Sequence, residues 1–311
     1  MKNYSVVIFG SSLREDFDKY SDRDLLIAAS DFETLDKLKS IYSKYDFSIS
    51  SYTYSKLKYL SENGSLFIKH LQKESKVIID QKERYKEILN QFSPKNNYKK
   101  DIKDCEDYFD IIKLVPKTNL GYAWFCDCLF VGLRNYLVFK NAENGVFEFS
   151  FIKLLNRLKK QGLINQSDID VLRELRVVKR NYREEIFDEL PSQEFVKKII
   201  PIAKYLGILD SVKFTDKKTF QNLIEKSIIK YKFNSYQRLR LVEGYYCSQD
   251  LIIPELKKII SNPQFYSCKM KDNDFTLSLI SEIKKRNTTL YKNNSSLSIK
   301  TKVKSTSKGL C

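Results

Sequence analysis

The clearest chemical grouping in the chain lies near its N-terminus: Gly10, Ser11 and Ser12, followed by Ser21, Asp22, Arg23 and Asp24. A glycine that closes an apolar strand lets the backbone turn sharply and come close to a phosphate. Ser11 and Ser12 offer hydroxyls and amides where a helix would begin, a place that favours anions. Asp22 and Asp24 stand two apart at the entry of a second strand. Period-two geometry therefore puts both carboxylates on one face and Arg23 on the other. Two oxygen ligands on one rigid strand, opposite a phosphate-binding turn, make a site for Mg²⁺ and a nucleoside triphosphate.

The elements that must hold these residues can be read around them. Residues 4–9 and 24–29 are apolar runs of strand length, the first stopped by Gly10. A helix is predicted over 31–44, with Ser30 or Asp31 as N-cap and Leu35, Leu38 and Ile41 on one face. Alternation over 46–54 marks a half-buried strand, and 76–80 another. Past a polar linker at 91–97 only helical periodicity remains, near 100–114, 119–140, 148–161, 168–187 and 192–208. A further group is expected near 217–232, 235–247, 249–261 and 272–286. The fold class expected is α+β. A small mixed-sheet domain covers 1–92 and an all-α domain 98–210. A helical extension or small domain covers 211–286, and a basic tail 287–311.

Composition supports a folded chain built mainly of helices. Of 311 residues 42% are apolar and 13% aromatic, with only nine glycines and six prolines, too apolar for a disordered chain and too poor in turn residues for an all-β one. No run of about 18 apolar residues is present and no leader pattern opens the chain, so a cytoplasmic protein without a membrane partner is expected. The six cysteines lack zinc-type spacing and read as reduced, packed thiols. The net charge of +16 is unevenly spread: +4 over residues 1–100, zero over 101–210 and +12 over 211–311. Residues 283–311 hold eight basic residues and no acidic one. This tail reads as a solvated segment or as a nucleic-acid-binding arm, with Lys284, Lys285 and Arg286 as its first candidate contacts.

Gly10-Ser11, the Asp22-x-Asp24 pair and the apolar Leu25-Leu26-Ile27 together resemble the signature of the DNA polymerase β-like nucleotidyltransferase superfamily. The nearest branch is the small bacterial minimal nucleotidyltransferases, and the likeness covers residues 4–80. The resemblance implies that Gly10, Ser11 and Ser12 hold the β- and γ-phosphates of an NTP and that Asp22 and Asp24 are catalytic ligands for Mg²⁺. Active members usually add a third acid on a later strand, where it binds metal and activates the attacking hydroxyl. The strand here offers Ser48 and Ser50 at the inward positions, with Asp46 just ahead of them. Residues 64–74 read as an amphipathic helix with Leu66, Phe67 and Leu71 inward. Its His70 and Glu74 lie one turn apart on one side, as accessory groups that are either structural or catalytic.

Residues 172–183 resemble the late helix of HEPN domains, all-α RNA-associated domains often paired with minimal nucleotidyltransferases. Their ribonuclease motif is an arginine, a polar residue after it, and a histidine beyond four to six intervening residues; here Val177 follows Arg176. Here Asn181 stands about where that histidine would follow Arg176, so the acid–base pair for cleavage is missing. What the resemblance then implies is a four-helix substrate-binding domain, with Arg176 and Arg180 as RNA contacts. The expected function is Mg²⁺-dependent transfer of a nucleotide from an NTP to an acceptor, foremost RNA. Proteins of this kind often belong to toxin–antitoxin or phage-defence loci, which implies a protein partner from the same locus. Two other readings stay open: a catalytically degenerate nucleotide- or RNA-binding partner, and nucleotidylation of a protein hydroxyl.

Overall fold

The computed structural model describes residues 3–18, 21–228 and 234–261, together with positions 278, 281 and 285. The chain divides into two compact units, the first ending at Thr215. The first unit opens with β1 (Tyr4–Phe9), β2 (Asp24–Ala29), α1 (Phe32–Tyr42) and β3 (Ser48–Thr53). It continues through α2 (Tyr54–Glu62), α3 (Leu66–Lys73), β4 (Ser75–Asp80) and α4 (Arg84–Asn90). The four strands form one sheet in the order β3-β2-β1-β4. β1 runs antiparallel to both neighbours, while β2 and β3 are parallel. A parallel pair needs a crossover, and α1 supplies it.

Period two divides the sheet into two packed faces. Val7, Phe9, Leu26 and Ala28 face Tyr54, Leu57, Ile68, Leu71, Tyr85 and Ile88 of α2, α3 and α4. Val6, Leu25, Ile27 and Ala29 face Leu35 and Leu38 of α1. Asp31 is the N-cap of α1, accepting from the Thr34 amide at 2.9 Å. The expectation for Ile41 is corrected: it is 45% exposed, because the inward stripe of α1 runs through Thr34, Leu35 and Leu38. In α3 the buried set is Leu66, Ile68 and Leu71, with Phe67 only half-buried.

Next come α5 (Lys99–Phe109), β5 (Leu114–Pro116), α6 (Asn119–Glu143), α7 (Phe151–Lys160), α8 (Gln166–Glu184), α9 (Gln193–Tyr205) and β6 (Lys213–Thr215). α6 is apolar nearly all round and becomes the axis of this half, with α5, α8 and α9 against it. Its Trp124, Phe125 and Leu129 are fully buried. Asp127 is also fully buried, and its charge is met by Arg183 of α8 at 2.8 Å. Isolated buried charge is costly, so this pair ties α6 to α8. The helix expected to reach residue 114 stops at Phe109, and residues 114–116 instead pair in parallel with 213–215.

The second unit contains α10 (Lys217–Ile228), α11 (Ser235–Cys247) and α12 (Pro254–Ser261). Leu239, Val242, Tyr245, Tyr246, Leu256 and Ile260 are buried there. The helix expected over 272–286 and the tail over 287–311 fall outside the described residues, except for exposed helical positions 278, 281 and 285. Cys105, Cys126, Cys128 and Cys247 are buried and in no disulfide, as expected of packed thiols, and Cys268 and Cys311 lie outside the described residues. No helix among the described residues is long and apolar enough to cross a membrane.

Candidate active site

The register of β1 against β2 sets Phe9 opposite Asp24, so Gly10 leaves the sheet directly beside that carboxylate. Gly10 has φ +79°, and a Cβ there would lie 2.8 Å from Asp24 Oδ2. The positive φ favours glycine, and a Cβ there would push the Asp24 carboxylate aside. Residues Gly10–Leu13 make a single tight 3₁₀ turn rather than the start of an α-helix, because Arg14 is already extended. The Gly10 amide donates to the Glu74 carbonyl at 2.9 Å. Ser11 Oγ donates to the Asp22 carbonyl at 3.1 Å, tying the turn to the acidic segment. Ser12 Oγ reaches the Phe9 carbonyl at 3.4 Å.

Asp24 is half-buried as the first residue of β2, and Asp22 is half-exposed just ahead of the strand. Burial, and then the charge of Asp22, push the Asp24 carboxyl up to about 6, against the pull of Lys179, Arg134 and Arg14. A carboxylate whose ionisation is opposed by burial and by a neighbouring acid is one that a cation would relieve.

A second layer of groups fixes the turn. Arg14 bridges Asp16 Oδ1 through Nε and Glu74 Oε2 through Nη1, both at 2.8 Å. His70 Nε2 shares Glu74 Oε2 at 3.0 Å, and its ring stacks on Phe149 with centroids 4.6 Å apart. Burial holds His70 below its ordinary range despite Glu74, which favours the neutral imidazole. Burial opposes the charge of Glu74, yet His70 and Arg14 outweigh it and lower its pKa. The carboxylate of Glu74 is thereby committed to its partners.

The helical half closes over the same loop. Lys179 Nζ stands 3.1 Å from Asp22 Oδ2. One turn earlier on α8, Arg176 holds Asp18 Oδ2 at 3.1 Å and Ser21 Oγ at 2.6 Å. Arg134 of α6 donates to the Phe149 carbonyl at 3.2 Å. Burial and then the like charge of Arg14 lower the pKa of Arg134, while Asp24, Glu74 and Asp22 attract it. Ser150 Oγ, at the N-cap of α7, donates to Asp16 Oδ2.

Gly10, Ser11, Asp22, Asp24 and Glu74 are thus gathered at one place, with Ser12 beside them. Ser48 begins β3 in register with Asp24, whereas Ser50 lies level with Leu26, one pair deeper. Asp46 is exposed in the turn ahead of β3. Among the described residues no three His, Cys, Asp or Glu side chains are grouped to hold a metal ion. Arg176 is engaged with the loop, and Arg180 pairs with Glu184 at 2.9 Å. Asn181 is buried and donates to Glu189 at 2.9 Å. Lys285 is exposed, and Lys284 and Arg286 lie outside the described residues.

Three site cations, Arg14, Arg134 and Lys179, were not anticipated from sequence. The signal for Arg134 is a lone guanidinium within the apolar run of α6. For Lys179 it is the three-residue spacing from Arg176, which puts both on one face of α8.

Gly10→Ala is expected to weaken Mg²⁺-dependent NTP binding by at least about tenfold, since left-handed alanine costs about 1–2 kcal/mol and its methyl displaces the Asp24 carboxylate. Calorimetry showing unchanged affinity would remove Gly10 from the phosphate turn.

A family model described as a nucleotidyltransferase domain matches residues 1–105. That stretch carries a nucleotidyltransferase domain of the polymerase β-like type, and the match extends into α5 but does not reach residues 172–183, likened above to a HEPN helix. No curated protein and no solved structure matches the chain.

Proposed function

We propose that the chain transfers a nucleotidyl group from an NTP to a hydroxyl of an RNA acceptor. One observation carries the reading: Asp24 lies against the Gly10 turn with its carboxyl pushed up to about 6 beside Asp22. Mg²⁺ is commonly held by one or two carboxylates together with substrate phosphates, and this donor set suits that mode. Bound there, the ion would neutralise phosphate charge during transfer. The turn of Gly10, Ser11 and Ser12 lies beside Asp24, and the amides of Ser11 and Ser12 would hold the β- and γ-phosphates. Lys179 and Arg134 add positive charge from the helical half. In-line transfer forms a bond from the acceptor oxygen to the α-phosphorus, breaks the bond to pyrophosphate and releases the hydroxyl proton. It asks mainly for positioning and charge neutralisation.

A second reading has its own support. Ser48 occupies the register position beside Asp24 where a carboxylate would serve as third ligand and base. On this reading the protein is a nucleotide- or RNA-binding partner with little turnover. A HEPN-like role for the helices, a protein partner from the same locus and a toxin–antitoxin or phage-defence setting belong equally to proposal. Incubation of the pure protein with each labelled NTP, Mg²⁺ and total cellular RNA decides among them. Label on RNA supports transfer to RNA, and label on protein supports modification of a protein hydroxyl. Tight NTP binding with no label anywhere leaves the degenerate partner.

A further inference from the structure

α7 packs on its neighbours through Phe151, Leu154, Leu155 and Leu158, at the i, i+3, i+4, i+7 positions of a helix. The opposite face carries Lys153, Asn156, Arg157, Lys159 and Lys160, all exposed. These five side chains line an open cavity of about 670 Å³ with Val146 and Glu148. Glu148 is the one acid in the lining, and its Oε1 is taken by the Phe149 and Ser150 amides, both at 2.9 Å. Among the described residues Lys159 reaches only Gln166, at 2.7 Å. Arg157 and Lys160 have no ion-pair partner among the described residues.

The position of the cavity matters as much as its charge. α7 begins at Ser150, whose hydroxyl holds Asp16, and Lys153 lies close enough to lower the pKa of that carboxyl. Asp16 in turn is bound to Arg14, which borders the nucleotide site. The basic face thus starts at the phosphate-turn loop and extends about 15 Å along ten residues of helix. Four cations line this concave surface against one acid already engaged by backbone amides, and that charge suits a repeating anion.

We infer that the α7 cavity cradles the phosphodiester backbone of a single-stranded RNA acceptor, leading its reactive end toward Asp22 and Asp24. The choice of RNA rests on the transfer reading above. The charge pattern, the cavity and its junction with Asp16 do not. Arg180 is not part of the cavity's lining.

The test uses the full chain carrying Arg157→Gln, Lys159→Gln and Lys160→Gln, exposed positions where glutamine is nearly as good a helix former. A short, unstructured, fluorescent RNA serves as probe, and its affinity is followed across a salt series. Each lost contact with a single strand reduces the salt slope by about 0.7, so a decrease of about two is expected. A companion variant that keeps the charges, with Arg157→Lys alone, should retain the wild-type slope. NTP binding by calorimetry should be the same in all three proteins. An unchanged slope in the triple variant overturns the proposal, as does a wild type that fails to bind RNA. Equal displacement of the probe by polyglutamate would also overturn it, by reducing the cavity to a site for any polyanion. If the slope falls as expected but the wild type binds no NTP, the cradle stands and the transfer reading fails.

Discussion

Asp24→Asn is expected to stabilise the fold near neutral pH while abolishing Mg²⁺-dependent nucleotide binding. The folded carboxyl titrates at about 6, raised first by burial and then by Asp22. Its folded pKa is therefore raised above the unfolded value, the reverse of a carboxylate held by a salt bridge. Below about pH 4 both states are protonated and the group has no effect on stability. Between about 4 and 6 the unfolded chain releases its proton first, so stability falls as pH rises. Above about 6 the loss is complete, and a shift of about two units corresponds to about 3 kcal/mol. The stabilising pull of Lys179, Arg134 and Arg14 is already contained in that position.

Asparagine keeps the shape and removes the charge. The variant should match the wild type near pH 4 and exceed it by about 2–3 kcal/mol near pH 8, as urea titrations would show. In the wild type, NTP binding should strengthen as pH rises through about 6, because a divalent ion needs the ionised carboxylate. The variant should show neither binding nor that dependence. A variant that is less stable near pH 8, or that binds NTP as well as the wild type, would remove Asp24 from the metal site.

The grouping of Gly10 and Ser11 with Asp22 and Asp24 was legible in the sequence because it is local. Gly10, Ser11, Asp22 and Asp24 lie within fifteen consecutive residues. Two strands and a turn suffice to assemble them, and strand period and glycine chemistry act locally. Two of the three cations around them, Arg134 and Lys179, come from more than a hundred residues away, on α6 and α8, and no local rule joins them to the turn. Arg176, expected as an RNA contact from the HEPN resemblance, is engaged with Asp18 and Ser21, partners that local sequence does not announce. The fold divides in the same way. Runs ended by glycine or entered at an aspartate gave β1 and β2, and amphipathic periods gave the long helices. α2 was missed because Thr53 closes β3 and caps the helix in one step, without a turn to announce it. β5 and β6 are three residues each and pair across nearly a hundred positions, too short and too distant for any pattern.

Ser48→Asp is expected to raise nucleotidyl transfer by about 10²-fold, the lower end of what proton transfer by a placed base contributes. The register makes Ser48 the right position. In parallel strands, residues in register share a face, and Ser48 is level with Asp24 while Ser50 is level with buried Leu26. An acid at Ser50 would enter the side of the sheet that packs on α2 and α3, whereas Ser48 stands exposed at the start of its strand. The third carboxylate brings its own penalty. Without metal it adds like charge and raises the carboxyl of Asp24 further, so the gain should emerge above about pH 7 and only with Mg²⁺ present. Metal-free Ser48→Asp protein should be less stable than the wild type near pH 8, and Mg²⁺ with NTP should restore the difference. Asp46→Asn supplies the control. If Asp46 reaches the site from its exposed turn, that change will cut wild-type transfer and Ser48→Asp will add little. If Asp46 is idle, Asp46→Asn will leave transfer unchanged and Ser48→Asp will act alone. A decrease in transfer by Ser48→Asp at saturating Mg²⁺ would mean that the proton leaves by a group outside this sheet, and the idea of a site short of one acid would fall.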